Sequence, residues 1–338
     1  MRIATFLPHV RVFGGVRRFL ELGNAWVRQG HDVTLYHPDG DAPTWLPYLG
    51  RVARLDGVIA RADLALCADS HTFAAFRRTP AERLVYYCVL EKDPGLAAAI
   101  ADRTLLLAAN SGPLRRRVAR ESGRPVLDGI GGINLEQFAP GPAPAHDVLR
   151  VLLYGRRSRP KKGTDLVLAA LRGLHGRVPP FDVVAFDHVE PGEKTDPRDG
   201  APSSPHVSWH LNPSQDELVA LYRSSDVFVA AERKAGWCNT ALEAMACGCA
   251  VVCTRSGTSD FARHGTTAWV VPVRHPWFLR RGIRRVLEDA AVRRSLRAAG
   301  PAAAAPWSWE RLATKLIEQV SASRLGLPIE ACAPGAPR

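Results

Sequence analysis

Two stretches hold side chains whose types and spacing could do chemistry. The first reads Gly155-Arg156-Arg157-Ser158-Arg159-Pro160-Lys161-Lys162-Gly163, behind the apolar run Val151 to Tyr154 and ahead of Thr164-Asp165. Two of the six lysines in the chain are adjacent here. A basic loop that leaves a buried strand and ends at a helix N-terminus suits a diphosphate, because cations and helix-start amides both face negative charge. The alternative is an exposed basic turn. The second stretch runs from Glu232 to Glu243. Glu243 follows Thr240 by three residues, the spacing of a capping box. It therefore closes a helix start, offers its carboxylate to a ligand, or does both with its two oxygens. Glu232 is the only carboxylate in the loop ahead of that helix.

The elements around these residues read as α/β units. Val227 to Ala231 has the content of a buried strand, the helix begins near Thr240, Gly248 stops it, and Ala250 to Cys253 is a second strand. Such a strand-loop-helix-strand unit pairs in parallel with the helix as crossover, and its ligand belongs at the carboxyl ends of the strands. Ser256-Gly257-Thr258 is a further loop at a strand end, able to present amides to phosphate. The chain opens in the same way. Arg2 to Leu7 is a strand, Gly14-Gly15 precede a helix from Val16 to Arg28, and Asp32 to Tyr36 is the next strand. Two glycines are not the three-glycine dinucleotide fingerprint, so a nicotinamide cofactor is not expected. Further strands are expected at Asp63 to Ala68, Leu84 to Val89 and Leu105 to Ala108. His71 and Glu91, at the ends of two of them, are either acceptor-side residues of a cleft or surface loop residues. Asp39-Gly40-Asp41 lies between Pro38 and Pro43 and reads as a turn, not a metal site. No metal is expected.

Leu242-Glu243-Ala244-Met245-Ala246-Cys247-Gly248 followed by Ala250-Val251-Val252 resembles the signature of the group-1 (family 4) retaining glycosyltransferases of the GT-B fold. The resemblance implies two Rossmann-like domains with parallel sheets facing across a cleft. It implies transfer of a sugar, with retention and without a metal or other cofactor, from a nucleoside-diphosphate sugar to a glycan, lipid-linked or small-molecule acceptor. Glu243 would hold the donor ribose. Arg156 and Lys162 match the family's Gly-Arg and Lys-Gly and would act catalytically by stabilising the leaving diphosphate. Gly14 and Gly15 would meet phosphate or acceptor through their amides. Gly236, Trp237, Cys238, Gly257 and Thr258 would line the donor. The family's other glutamate falls eight residues before Glu243, where this chain has Ala235; Glu232, three residues earlier, is the candidate substitute. The resemblance spans residues 1 to about 320 and is strongest over 148–272. Two other classes remain open: a sugar-nucleotide epimerase on the same fold, and a non-catalytic nucleotide-sugar-binding protein.

At 338 residues the chain suits two domains of about 150 each. The first is expected over 1–140. A Pro-rich linker at 141–147 follows, then a second domain over 148–305. The resemblance implies a helix at 306–320 that returns to the first domain, and the composition of 321–338 reads as a disordered tail. No apolar run of about 18 residues is present, and the start lacks the pattern of a signal peptide. The seven cysteines show no metal or redox spacing and read as reduced thiols in a cytoplasmic protein. The net charge is +12. Arg77-Arg78, Arg280-Arg281, Arg284-Arg285 and Arg293-Arg294 fall on helix-like segments, as a solvated face or as a surface for anionic lipid at the inner membrane face or a polyanionic substrate. Nucleic acid is not expected, because no aromatic residues interleave with these pairs.

Overall fold

The computed structural model describes residues 1–323 apart from 91, 144, 145, 190, 191, 194, 195, 202 and 204. The first domain runs β1 (Arg2–Phe6), α1 (Gly14–Arg28), β2 (Asp32–His37), β3 (Arg51–Arg54), β4 (Ala62–Cys67), α2 (Phe73–Arg78), β5 (Ala81–Cys88), α3 (Leu96–Ala101), β6 (Leu106–Ala109), α4 (Gly112–Ser122) and β7 (Leu127–Asp128). Its seven strands lie in the order β3-β2-β1-β4-β5-β6-β7, and every pair is parallel. The second runs β8 (Leu149–Tyr154), α5 (Thr164–Arg172), β9 (Phe181–Asp187), β10 (Val207–Leu211), α6 (Gln215–Arg223), β11 (Val227–Ala230), α7 (Asn239–Ala246), β12 (Ala250–Cys253), β13 (Trp269–Val270), α8 (Pro276–Glu288) and α9 (Ala290–Ala304). Its order is β10-β9-β8-β11-β12-β13, again parallel throughout. β6, β11 and β12 are apolar along their whole length and buried at every residue, because helices cover both faces.

In each sheet the order reverses beside the first strand, between β1 and β4 and between β8 and β11. A crevice opens at the carboxyl ends of strands at such a reversal, and that is where a ligand goes. Two chain segments cross between the sheets side by side. The Gly132 amide donates to Trp307 O at 2.7 Å and the Trp309 amide to Ile133 O at 3.2 Å. Ile130, Ile133 and Phe138, ahead of the Pro-rich stretch, are buried in the core around β8, β11 and α7. The last helix, α10 (Trp309–Ala322), lays Leu312, Leu316 and Val320 into the first-domain core beside Phe19 and Trp26 of α1.

The structure corrects several local readings. Thr240 and Glu243 do not close a capping box: α7 starts at Asn239 behind Cys238, with no side-chain cap. Ser214 and Glu217 do close one at the start of α6. The short edge strands β3 and β7 have too few apolar residues to announce themselves. α10 continues through Ser321 and Ala322, which were expected in the tail; residues 324–338 of that tail lie outside the described residues. Asp39-Gly40-Asp41 is an irregular loop after β2, with Gly40 at φ +76°. The six cysteines among the described residues are free thiols.

Candidate functional site

A cavity of about 530 Å³ lies between the carboxyl ends of the two sheets, a size suited to a cofactor or drug-sized ligand. Residues leaving β1, β5 and β6 wall it on one side, and residues leaving β8, β9 and β11 on the other. Eight Lys or Arg side chains line it against three carboxylates, so its field favours an anion.

Arg156 enters from the β8 exit and is only 6% exposed. Its Nη2 lies 3.1 Å from Glu193 Oε2, and its Nη1 lies 3.6 Å from Asp187 Oδ1 at the end of β9. Burial pushes Asp187 up to about 7, with Arg156 working in the opposite direction. Lys162 closes the same loop, with Nζ 2.8 Å from Glu232 Oε1 and over the Tyr154 ring. Burial disfavours its charge, but Glu232, Cys238 and Tyr154 together hold it above the ordinary lysine value. The loop can make this turn because Gly163 sits at φ +80°, where a Cβ would strike the Ala231 carbonyl. Arg233 N donates to Lys161 O at 2.9 Å, and Arg274 donates to Ala231 O at 2.6 Å and to Pro160 O at 3.0 Å. The two loops singled out from the sequence are thus fastened to each other.

Glu243 projects from α7 and is 6% exposed. Its Oε2 accepts the Tyr222 hydroxyl at 3.0 Å, and its Oε1 lies 3.8 Å from Arg17 of α1. Burial raises its pKa against the pull of Arg17 and Tyr222. Arg17 also donates to Gln215 Oε1 at 2.5 Å and stacks on Trp45. Ala235 offers the cavity no polar side chain. Its residue forms an antiparallel bridge with Leu90, so that this loop joins the two domains. Glu232 reaches the cavity from the strand end instead.

Gly14, Gly15, Arg156, Lys162, Glu232, Gly236, Trp237 and Glu243 line the cavity together. Cys238, Gly257 and Thr258 stand behind the wall. Cys238 N donates to Gly257 O at 2.9 Å, its thiol faces Glu232, and Thr258 bonds back to Thr254 O at 2.5 Å. Their part is to hold the loop between β11 and α7 against the segment that follows β12. His71 is exposed ahead of α2 and is not in the wall. Glu91 lies outside the described residues. The sequence reading missed Arg17, Arg18 and Asn110, which line the cavity from the first domain. A signal for Arg18 exists: it sits one turn before Leu22, on the apolar stripe of α1, where a charge is out of place.

Residues 143–303 match the family described as "Glycosyl transferases group 1". No curated protein matches the sequence. Sucrose-phosphate synthase from Thermosynechococcus elongatus superposes with a TM-score of 0.75 at 18% identity, over 94% of this chain and 98% of that one. HepE of Anabaena in complex with UDP and glucose gives 0.75 at 16% identity, over 96% and 100%. A glycosyltransferase from Rickettsia africae gives 0.73 at 13% identity, over 95% and 97%. Together with the two facing parallel sheets, these likenesses define the chain as an α/β protein of the GT-B fold. The match to the glycosyl transferases group 1 family lies on its second domain.

Proposed function

We propose that the protein transfers a sugar from a nucleoside-diphosphate sugar to an acceptor hydroxyl, with retention of configuration and without a metal. The observation that carries this reading is the meeting of Arg156 and Lys162, from the loop after β8, with Glu243 of α7, all in the family-matching domain, in one cationic cavity. Glu243 would hold the ribose. Arg156 and Lys162 would take the diphosphate, exchanging their present carboxylate partners for phosphate oxygens. As the bond from the anomeric carbon to the diphosphate breaks, the electron pair leaves with the diphosphate and these two cations stabilise it. The acceptor hydroxyl attacks from the same face and gives its proton to the departing phosphate. Loss of one such fixed donor typically costs about 10²–10³ in rate. HepE was solved with UDP and glucose and with UDP-glucose. TarM of S. aureus, which superposes with a TM-score of 0.61 at 12% identity, was solved with a glycan, an alpha-GlcNAc-glycerol and UDP. These complexes support a nucleotide-sugar donor and a glycan acceptor.

The test is thermal unfolding with UDP, GDP, dTDP and ADP, since a ligand at 100 times its dissociation constant adds about 2.7 kcal/mol. Product analysis with each sugar nucleotide, with and without EDTA, follows. Activity is expected to survive chelation; complete loss in EDTA, restored by Mn²⁺ or Mg²⁺, overturns the metal-independent mechanism. An epimerised donor without acceptor points to the epimerase, and tight binding without transfer or hydrolysis to the binding protein.

No helix among the described residues is long and apolar enough to cross a membrane. Peripheral docking on an anionic cytoplasmic surface is part of the same proposal. On α8, Arg281 lies over Trp277, which is 45% exposed, while Arg284 and Arg285 pair with Glu288 and Asp289. Binding to anionic vesicles that falls steeply with salt supports it; equal binding to neutral vesicles, or none to either, makes the arginines a solvated face.

A further inference from the structure

The cavity has an end that the nucleotide contacts above do not use. Arg18 of α1, Asn110 at the exit of β6 and Trp237 ahead of α7 line it. They are 2%, 3% and 9% exposed. Each carries a polar atom with no hydrogen-bond partner in the protein: Arg18 Nη2, Asn110 Oδ1 and Trp237 Nε1. The three are neighbours. The Arg18 guanidinium lies 5.9 Å from the centre of the Trp237 ring, and a Cβ on Gly236 would come within 2.6 Å of Asn110 Oδ1. The orientation of Asn110 is fixed by its Nδ2 donating to Val89 O at 3.1 Å, which leaves Oδ1 as the free acceptor.

Arg18 is the informative member. Among the described residues no carboxylate comes within 4.0 Å of it, while its neighbour Arg17 faces both Glu21 and Glu243. Its Nη1 donates to the Tyr87 hydroxyl at 2.8 Å, and the Tyr87 and Trp309 rings lie 5.6 and 5.2 Å from its centre. Aromatic faces offset part of the cost of a buried charge. They leave Nη2 unmet, and a permanently charged group out of water calls for an anion.

Two N–H donors, one of them fully charged, beside one acceptor complement a carboxylate next to a hydroxyl. We propose that this end of the cavity holds a hexuronic acid. Arg18 Nη2 and Trp237 Nε1 donate to its carboxylate, and Asn110 Oδ1 accepts from a ring hydroxyl. A neutral hexose would present only a hydroxymethyl group and leave the guanidinium charge uncompensated. The inference rests on the nucleotide-sugar reading of the cavity. The uronate arrives either as the donor sugar or as the acceptor, and the same residues recognise it in both cases.

Calorimetric titration separates these. The probes are UDP, UDP-glucose, UDP-glucuronate, and free glucuronate in the presence of UDP, with GDP, GDP-mannose and GDP-mannuronate in parallel. For a uronate donor, the acidic sugar nucleotide binds at least about tenfold more tightly than the neutral one, the scale of one charged hydrogen bond. For a uronate acceptor, the sugar nucleotides bind alike and free glucuronate binds once the diphosphate is present. In either case Trp237→Phe, which keeps the ring stacking and removes only the N–H, and Arg18→Gln bring the acidic-to-neutral ratio toward one. A merely structural role for Arg18 weakens both sugars equally and leaves the ratio unchanged. Equal affinity for acidic and neutral sugar nucleotides without diphosphate-dependent binding of glucuronate overturns the inference and leaves the glycosyltransferase reading intact. Failure of every nucleotide to bind overturns both.

Discussion

Lys162 and Glu232 show what a single pair can decide. The ion pair at 2.8 Å is largely out of water, so an incoming diphosphate competes with Glu232 for the lysine. Glu232→Gln frees Lys162 for phosphate while removing the only acidic side chain of that loop. Transfer should fall at least about tenfold, while affinity for the free nucleoside diphosphate should not weaken. Weaker diphosphate binding in calorimetry would mean that Glu232 positions the lysine for phosphate. Glu243→Gln should do the reverse and weaken the nucleotide itself. Asp187 adds a pH dependence. Burial raises it from the ordinary carboxylate value to about 7, so the folded protein favours its protonated form. Its contribution to stability is therefore present below the unfolded value near 4 and is lost as pH rises through about 7. Protonation also removes one of the two carboxylate charges that face Arg156, so a nucleotide sugar, which has no phosphate pKa in this range, should bind more tightly at pH 6 than at pH 8. Asp187→Asn should flatten both profiles, measured as melting temperature and as dissociation constant. Arg156, Lys162, Glu232 and Glu243 were legible in the sequence because each sits where a strand ends or a helix begins. Arg17 was not, because its partner Glu243 comes from more than two hundred residues away and only tertiary packing brings them together, and Arg18 left only the trace of a charge on an apolar helix stripe.

The elements were legible wherever burial on both faces writes a continuous apolar run, as at β6, β11 and β12. They were less so at the sheet edges and at helix starts with competing uses. Ser214 and Glu217 are exposed to solvent and free to cap α6. Thr240 and Glu243 have the same spacing, but Tyr222 and Arg17 claim the carboxylate, so tertiary contacts override the local motif. The loop between β11 and α7 works by close approach of backbones. A Cβ on Gly236 would lie 2.5 Å from Val89 O and 2.6 Å from Asn110 Oδ1. Gly236→Ala must push this loop off the first domain. It should cost about 1–3 kcal/mol of stability, the scale of overpacking, and lower transfer by more than tenfold. Gly248→Ala is the control: its φ of +87° is strained, yet a Cβ there meets nothing within 4 Å. It should lose stability without a comparable loss of transfer per folded molecule. Equal losses in the two variants would deny the loop its role.

The whole molecule is held closed by contacts that cross between the two domains. Leu90 bridges Ala235, Arg17 faces Glu243, and Asp260 of the second domain receives the Gly112 amide with both carboxylate oxygens, at 3.1 and 3.0 Å. Gly112 is the first residue of α4, where the helix dipole favours a negative charge. Burial raises the pKa of Asp260, while the Gly112 hydrogen bond and Arg116 oppose the rise. The carboxylate thus gives up water to reach the other domain, and that cost is recovered only when the domains meet. The paired crossings and α10 act as the permanent attachment, since Trp26 Nε1 donates to Ala313 O at 3.2 Å within the first-domain core. With the crossings as the fixed attachment, the domains are free to part further when such polar contacts go. Asp260→Ala should therefore enlarge the maximum dimension of the ligand-free protein in small-angle X-ray scattering. A saturating nucleotide sugar, which adds ties across the same gap, should restore the compact form, and the Michaelis constant for the donor should rise more than the turnover number falls. Scattering curves that superpose for Asp260→Ala and the unsubstituted protein would show that the remaining contacts hold the domains without it.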